Sequence, residues 1–384
     1  MQPVTAADRK AGKGRLLGVD AARALALVGM MAVHVLPDTD RDGSISAAYF
    51  FASGRSSALF AVLAGLGLAL ATGGSNPPRG RLYRASVGAI WGRAAIIGFI
   101  GLFLGDLNSG VAVILVNYGA LFLLGALFIS LPTSRLALLA VVWGLLTPVI
   151  SHYLRMRWPV SSYEVTGFDS LTEPVRTARE VLFTGYYPVF TWMTFLLAGM
   201  AVGRTKVSSS ATAARLAAVG GALAAGAYAV SWLLLDVLGG RTHVDELPTQ
   251  FYGVTPTDTW WYLAVPTPHS GTPIDFAHTI GTSLLLLGLL LWGAIRSKWS
   301  VAWLAGAGGM TLSLYTAHVV VLSLGWGPDD RVALWLWHAV IALIVGFVWR
   351  ATIGRGPLEN LTANVSGAIK DAVLARGPVS PKGD

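Results

Sequence analysis

Apolar runs of 15 to 22 residues recur along the chain, separated by shorter stretches where Arg, Asp, Gly and Pro gather. A helix rises 1.5 Å per residue, so about 20 apolar residues cross the hydrocarbon of a bilayer. The pattern predicts about ten such helices, over 16–36, 56–71, 86–105, 111–131, 136–153, 188–202, 214–235, 274–295, 304–324 and 332–353. The Trp-rich stretch 299–305 reads as an eleventh, re-entrant or interfacial piece. The first run follows Lys10, Lys13 and Arg15 as a signal peptide would. It is too long for one, carries Asp20 and Arg23, and is followed by many similar runs, so it reads as a retained span. The expected fold class is all-α: a polytopic integral membrane protein whose helices form one bundle over 16–356. A cytoplasmic N-terminal tail (1–15) precedes it, and a polar cytoplasmic C-terminal tail (357–384) follows, with a short amphipathic helix.

Composition agrees with that class. The chain is 54% hydrophobic and 12% charged, with mean hydropathy +0.60, which excludes a simple cytosolic globule. Absence of Cys excludes thiolate catalysis, disulfides, iron-sulfur clusters and Cys-based zinc sites. The net charge of +8 concerns membrane orientation rather than nucleic acid. With the N-terminus inside, 18 of the 28 Lys and Arg residues fall in cytoplasmic segments and 15 of the 20 acids fall outside, which predicts N-in and C-in. The expected location is the plasma (inner) membrane, with the lipid bilayer as the first partner. The long segments, 154–187 and 236–273, then lie outside. They carry Trp158, Tyr163, Phe168, Tyr186 and Tyr187, then Phe251, Tyr252, Trp260, Trp261 and Tyr262. Such rings suit stacking on sugars or a place at the lipid headgroups. Small residues at Gly220, Gly221, Ala225 and Gly226 permit close helix contact, within the bundle or in a homodimer.

Ionisable groups within spans are costly and ask for a partner or a task. The first span holds Asp20, Arg23 and His34. At 100° per residue, positions 20, 23, 27, 30 and 34 form one stripe, so Asp20 pairs with Arg23 and His34 lies three turns above. Arg23 and His34 are then about 16 Å apart along the axis, close to the reach of an extended pantetheine arm. The same stripe also reads as a snorkelling, Asp-paired Arg and an interhelical hydrogen-bonded His. Asp275, His278 and Thr282 share a face of one later span, and Thr311, Tyr315 and His318 share a face of the next. His338, beside Trp335 and Trp337, reads as packing. His152, His243 and His269 show no metal-ligand spacing, and no bound metal is expected.

The string Leu17-Gly18-Val19-Asp20-Ala21-Ala22-Arg23-Ala24-Leu25-Ala26, with 30–34 ending on His34, resembles the opening of the transmembrane acyltransferase superfamily. Further matches are 54–65 (from Gly54-Arg55-Ser56-Ser57), Asn117-Tyr118-Gly119, 309–315 (from Gly309-Met310-Thr311), and Gly356-Pro357-Leu358-Glu359. In order along the chain they fit the YeiB-like or heparan-α-glucosaminide N-acetyltransferase-like branch, and more distantly the acyltransferase-3 enzymes. In the latter an Arg, ten residues and a His mark the first helix, the separation of Arg23 and His34. The heparan enzymes instead place Asn at the His34 position and a His in the following loop. Here that loop carries Asp38, Asp40, Asp42 and Ser44 and no His.

The resemblance implies transfer of an acyl group, acetyl first, from cytosolic acetyl-CoA or another acyl-CoA to an extracytoplasmic sugar or glycolipid. It implies His34 as the catalytic base or acyl relay and Arg23 as a coenzyme contact, with Asp20 as its partner. Such chemistry needs a base near pKa 7, a donor for the thioester oxyanion and a cationic mouth for phosphates. Candidates for the second are Asn117, Tyr118, Tyr315, His318, and Arg55 with Ser56 and Ser57. For the third they are Arg23, Arg84, Arg93, Arg204 and Arg296. A transporter or flippase with a buried Asp20/Arg23/His34 path is the alternative from another class, although no span broken by Gly or Pro recurs at matching positions. A structural scaffold is the third.

Overall fold

The computed structural model describes residues 16–158 and 165–375. Lys10, Lys13 and Arg15 of the expected N-terminal tail, Tyr163, and the tail beyond 375 lie outside the described residues. No strand forms among the described residues; one isolated bridge pairs Thr39 with Ile45. The helices are α1 (Leu17–Val35), α2 (Ala47–Ala52), α3 (Arg55–Ala71), α4 (Gly80–Gly105), α5 (Leu115–Gly125), α6 (Thr133–Arg155), α7 (Pro174–Arg179) and α8 (Val189–Gly203). They continue with α9 (Ser210–Trp232), α10 (Pro273–Arg296), α11 (Trp299–Gly308), α12 (Thr311–Ser323), α13 (Arg331–Thr352) and α14 (Pro357–Ala375).

The all-α polytopic class expected from the hydrophobic pattern is what the structure shows. Among the described residues seven helices are long and apolar enough to cross a membrane, or up to nine if each of two bent pairs is one span. The predicted run 111–131 corresponds to a shorter apolar helix, Leu115–Phe128. One difference from the sequence reading stands out. Pro174–Thr184 precedes α8 at an angle of 48°, so that apolar element is bent and longer than 188–202. The Trp-rich stretch, expected as a re-entrant or interfacial piece, becomes α11, which meets α12 at 62° across Gly309 and Met310, the bend of a broken span or of a re-entrant loop.

The burial pattern is that of a membrane bundle. Two-thirds of the most apolar window of α1 (67%) is buried against 22% for α13, so α1 is central and α13 peripheral. α1 packs on α3, α10, α11 and α13. The periphery exposes large apolar side chains such as Leu145 and Leu146 on α6 and Ile344 and Phe347 on α13, the arrangement that hydrocarbon accepts and water does not.

Close helix approach rests on small residues. A Cβ on Gly281 of α10 would strike the backbone of Gly220 and Ala224 on α9, and one on Gly288 the backbone of Ala213 and Ala217. Gly220 is thus spent inside the bundle, whereas a Cβ on Gly226 meets nothing within 4 Å. Gly281→Val should therefore cost about 1–3 kcal/mol by overpacking and lower the thermal midpoint of the detergent-solubilised protein. Gly226→Val should leave that midpoint unchanged in the same measurement.

Candidate active site

α1 presents its polar stripe to two cavities. Near its start, Arg23 Nη1 donates to Asp20 Oδ1 at 3.2 Å, and Asp20 is buried. Gly67 of α3 leaves space for this guanidinium, because a Cβ there would lie 2.9 Å from Arg23 Nη2. Gly308, at the end of α11, sits against the Asp20 backbone where no Cβ fits. The helix break that follows exposes the first N–H groups of α12. Glu359 of α14 accepts from Leu312 N at 2.7 Å, Ser313 N at 3.2 Å and Ser313 Oγ at 2.5 Å. Two sequence strings, at 309–315 and 356–359, therefore meet as one helix cap through Ser313 and Glu359, 46 residues apart.

Around this junction lies a cavity of about 230 Å³, lined by Arg23, Arg93, Thr311, Glu359, Tyr118 and Tyr315 among others. It shares Arg93, Gly309, Glu359 and Thr362 with a neighbouring cavity of about 370 Å³, whose walls add Arg355 and Lys370. Four cationic side chains thus line two adjoining cavities at the end of the bundle where α1 begins. The segment expected as a polar tail forms a wall of that space. α14 lies along α4, with Ile369 against Gly88 and Gly92, and Arg81 Nη2 donates to the carbonyl of Val373 at 3.3 Å. Deeper in, the Tyr118 and Tyr315 hydroxyls are buried without a hydrogen-bond partner among the described residues.

At the other end of α1, His34 lines a third cavity of about 410 Å³. Its walls include Tyr49, Tyr186, Tyr187, Tyr252, Asp38 and Gln250. Met30, one turn before His34, belongs to both this cavity and the one holding Arg23. The two spaces approach each other there from opposite ends. His269 also lines the outer one, packed among Tyr186, Tyr187 and Trp192. Burial pushes its imidazole down to about 3, so it is neutral near pH 7.

His34 has a partner from α12: its Nδ1 lies 3.2 Å from His318 Nε2, with the rings 14° from parallel. His318 Nδ1 in turn lies 3.1 Å from Nδ1 of His338 on α13. Sequence reading took His338 as packing; the structure makes it the third ring of a chain. The available signal was its level in the bundle, since His318 lies five residues before the end of α12 and His338 seven after the start of the next helix. The middle ring uses both nitrogens on its neighbours, so the three do not point at a common centre. Among the described residues no group of three His, Cys, Asp or Glu is arranged to hold a metal ion.

Other candidates separate from this site. Asn117 is committed elsewhere, its Nδ2 donating to Tyr187 O at 2.9 Å and Val181 O at 3.4 Å, which ties α5 to the segment before α8. Arg55 turns toward α9 and α10, donating to His278 Nε2 and Tyr228 Oη at 3.2 Å each and to Phe50 O at 2.6 Å. Ser56 and Ser57 stay on the wall of the outer cavity. Asp275 accepts from Gly271 N at 3.2 Å, while His278 and Thr282 have other partners. Arg204 is no mouth residue: it is buried and donates to the carbonyls of Ala69 and Gly74 at 2.8 Å, closing the C-terminal end of α3. Arg296 stacks on Trp292, and Arg84 lines neither cavity. Of the loop aromatics, Tyr186, Tyr187 and Tyr252 reach the outer cavity. Trp158, Trp260 and Trp261 pack on Phe183, His152 and His243.

The sequence model of a family described as heparan-alpha-glucosaminide N-acetyltransferase, catalytic, matches residues 15–231. The match takes in Arg23, His34, Arg93 and Tyr118 and ends before Tyr315, His318, His338 and Glu359. No curated protein matches the chain.

The cap makes its own prediction. Glu359→Ala leaves the N–H groups of Leu312 and Ser313 unpaired, at a cost of roughly 1.5–3 kcal/mol for bonds to a charged acceptor. Thermal unfolding should shift down accordingly, and limited proteolysis should cut within α14 sooner than in the wild type. Glu359→Gln should fall between the two.

Proposed function

The chain belongs to the heparan-α-glucosaminide N-acetyltransferase catalytic family, a family of membrane acetyltransferases, and we propose that it moves an acetyl group across the membrane from acetyl-CoA to an extracytoplasmic acceptor. In this reading the protein sits in the plasma (inner) membrane with the start of α1 cytoplasmic. The acceptor is a hydroxyl or amine of a sugar or glycolipid. The observation that carries the reading is that α1 walls a cavity toward each of its ends, one lined by Arg23 and Arg93 beside a neighbour lined by Arg355 and Lys370, the other lined by His34 and four tyrosines, with Met30 on the wall of both.

The residues present fit the donor. Clustered guanidinium and ammonium groups suit nucleotide phosphates, and the unpartnered Tyr118 and Tyr315 hydroxyls offer donors where charge develops on a thioester oxygen. Acetyl-CoA supplies an acyl carbon activated by a thiolate leaving group. Arg23, steadied by Asp20, holds the phosphate end, and His34 takes the proton of the acceptor as it attacks. Tyrosine faces, with Asp38 and Gln250 between them, suit the apolar faces and hydroxyls of a sugar ring.

Thermal unfolding of the purified protein with acetyl-CoA, longer acyl-CoAs and free CoA tests the donor half. A ligand at a hundred times its dissociation constant adds about 2.7 kcal/mol to the folded state. The expected result is a clear upward shift, reduced in Arg23→Ala and Arg93→Ala and retained in His34→Ala, which should lose transfer. No shift with any CoA in folded protein, together with solute flux in proteoliposomes without an acyl donor, would overturn the reading in favour of transport.

A further inference from the structure

We infer that His318 and His338 are positioning residues that set which nitrogen of His34 carries its proton, and that the three rings form one proton relay. The inference rests on His34 being the base of the proposed transfer. The juxtaposition behind it is a single line of nitrogens: His34 Nδ1 to His318 Nε2 at 3.2 Å, then His318 Nδ1 to His338 Nδ1 at 3.1 Å. His318 and His338 are buried, and His338 Nε2 has no hydrogen-bond partner among the described residues.

A neutral imidazole has one N–H and one lone pair. Each contact in the line needs one proton between its two nitrogens, so neutral rings satisfy both contacts in only two ways. In one, His318 donates from Nε2 to His34, and His34 presents Nε2–H to the outer cavity as a donor. In the other, His34 donates from Nδ1 to His318, His318 donates from Nδ1 to His338, and His34 Nε2 presents a lone pair. Only the second arrangement makes His34 a base, and the line of three couples the rings as a unit, because reversing one contact reverses the other.

The same line spreads charge. As the acceptor O–H or N–H bond breaks, its electron pair forms the bond to the acyl carbon and its proton goes to His34 Nε2. The Nδ1 proton of His34 passes to His318 Nε2, and the Nδ1 proton of His318 passes to His338 Nδ1. His338, with both nitrogens protonated, then carries the positive charge. The C–S bond breaks with its electrons on sulfur, and the same shifts in reverse return one proton to the thiolate. A charge on a buried ring is costly; on His338 it lies away from the reacting atoms.

Nitrogen-15 spectra of the histidine-labelled, detergent-solubilised protein test the inference directly, since the chain has seven His and ring nitrogen shifts distinguish the tautomers. The signal missing in His34→Ala identifies His34. The expected wild-type result is the Nδ1–H tautomer at His34. His318→Ala and His338→Leu should turn it into a mixture and lower kcat about ten- to a hundredfold. KM for acetyl-CoA and its thermal shift should stay unchanged, which also shows that the variants fold. His338→Gln, whose amide oxygen can accept from His318, should restore the tautomer and most of kcat. An Nε2–H tautomer in the wild type, or variants with unchanged tautomer and kcat, would overturn the inference. Transfer that survives in His34→Ala would instead overturn the assignment of the base, and the tautomer result would still be readable without any acyl donor.

Discussion

The broken helix and its cap govern the architecture around the site. Hydrocarbon offers no partner to a backbone N–H, so a helix that stops and restarts inside a bundle must satisfy its new N-terminus from within the protein. Here Glu359 does so for Leu312 and Ser313. The break lets α12 leave the direction of α11 by 62°, which carries Tyr315 to the cavity of Arg23 and His318 to His34. The carboxylate that closes the break also fixes α14, and α14 brings Arg355 and Lys370 to the mouth. One ionic cap therefore ties the wall of the cationic space to the helix that supports the histidine at the far end.

Much of α1 was legible in the chain, because a single helix obeys a fixed period. The 20, 23, 34 stripe needs only 100° per residue, and the pair of Asp20 with Arg23 follows from it. Partners across the bundle obey no such rule. Nothing near Asn117 in sequence indicates that its amide holds the carbonyls of Val181 and Tyr187. Likewise Arg55 reads as an oxyanion donor until His278 and Tyr228 are seen to accept from its guanidinium. His338 was hidden for the opposite reason: its neighbours Trp335 and Trp337 suggest an apolar face, whereas its level matches His318 across the turn between α12 and α13. The helix class survived because twenty apolar residues admit few other folds. The bend before α8 escaped because hydropathy is blind to direction.

The aromatic segments outside the spans divide in the same way. Their composition alone fits either a headgroup belt or a sugar site. The structure assigns some rings to packing, with Trp260 on His152 and Trp158 on Phe183, and leaves Tyr186, Tyr187 and Tyr252 on a concave wall beside His34. Neutral His269, wedged among these rings, stiffens that wall without adding charge to it. A rigid tyrosine surface loses little side-chain freedom when a ligand settles on it.

The division into two cavities also bears on what has to cross the membrane in the proposed reaction. Phosphates and sugar hydroxyls are costly to bring to mid-membrane depth, whereas a small acyl carbonyl is not. Two cavities that share Met30 as a wall therefore suit a reaction in which the donor and acceptor each remain on their own side and only the acyl group passes. The position of α1 between them is held by backbone contacts. Gly308 lies against the Asp20 carbonyl on one side of α1, and Gly29 of α1 leaves room for Ser56 of α3 on another. Side chains at either position would push α1 away from its neighbours and change the spacing of both cavities together. In the proposed transfer the small residues around α1 thus serve the chemistry as much as the packing, since they set the spacing of the two cavities.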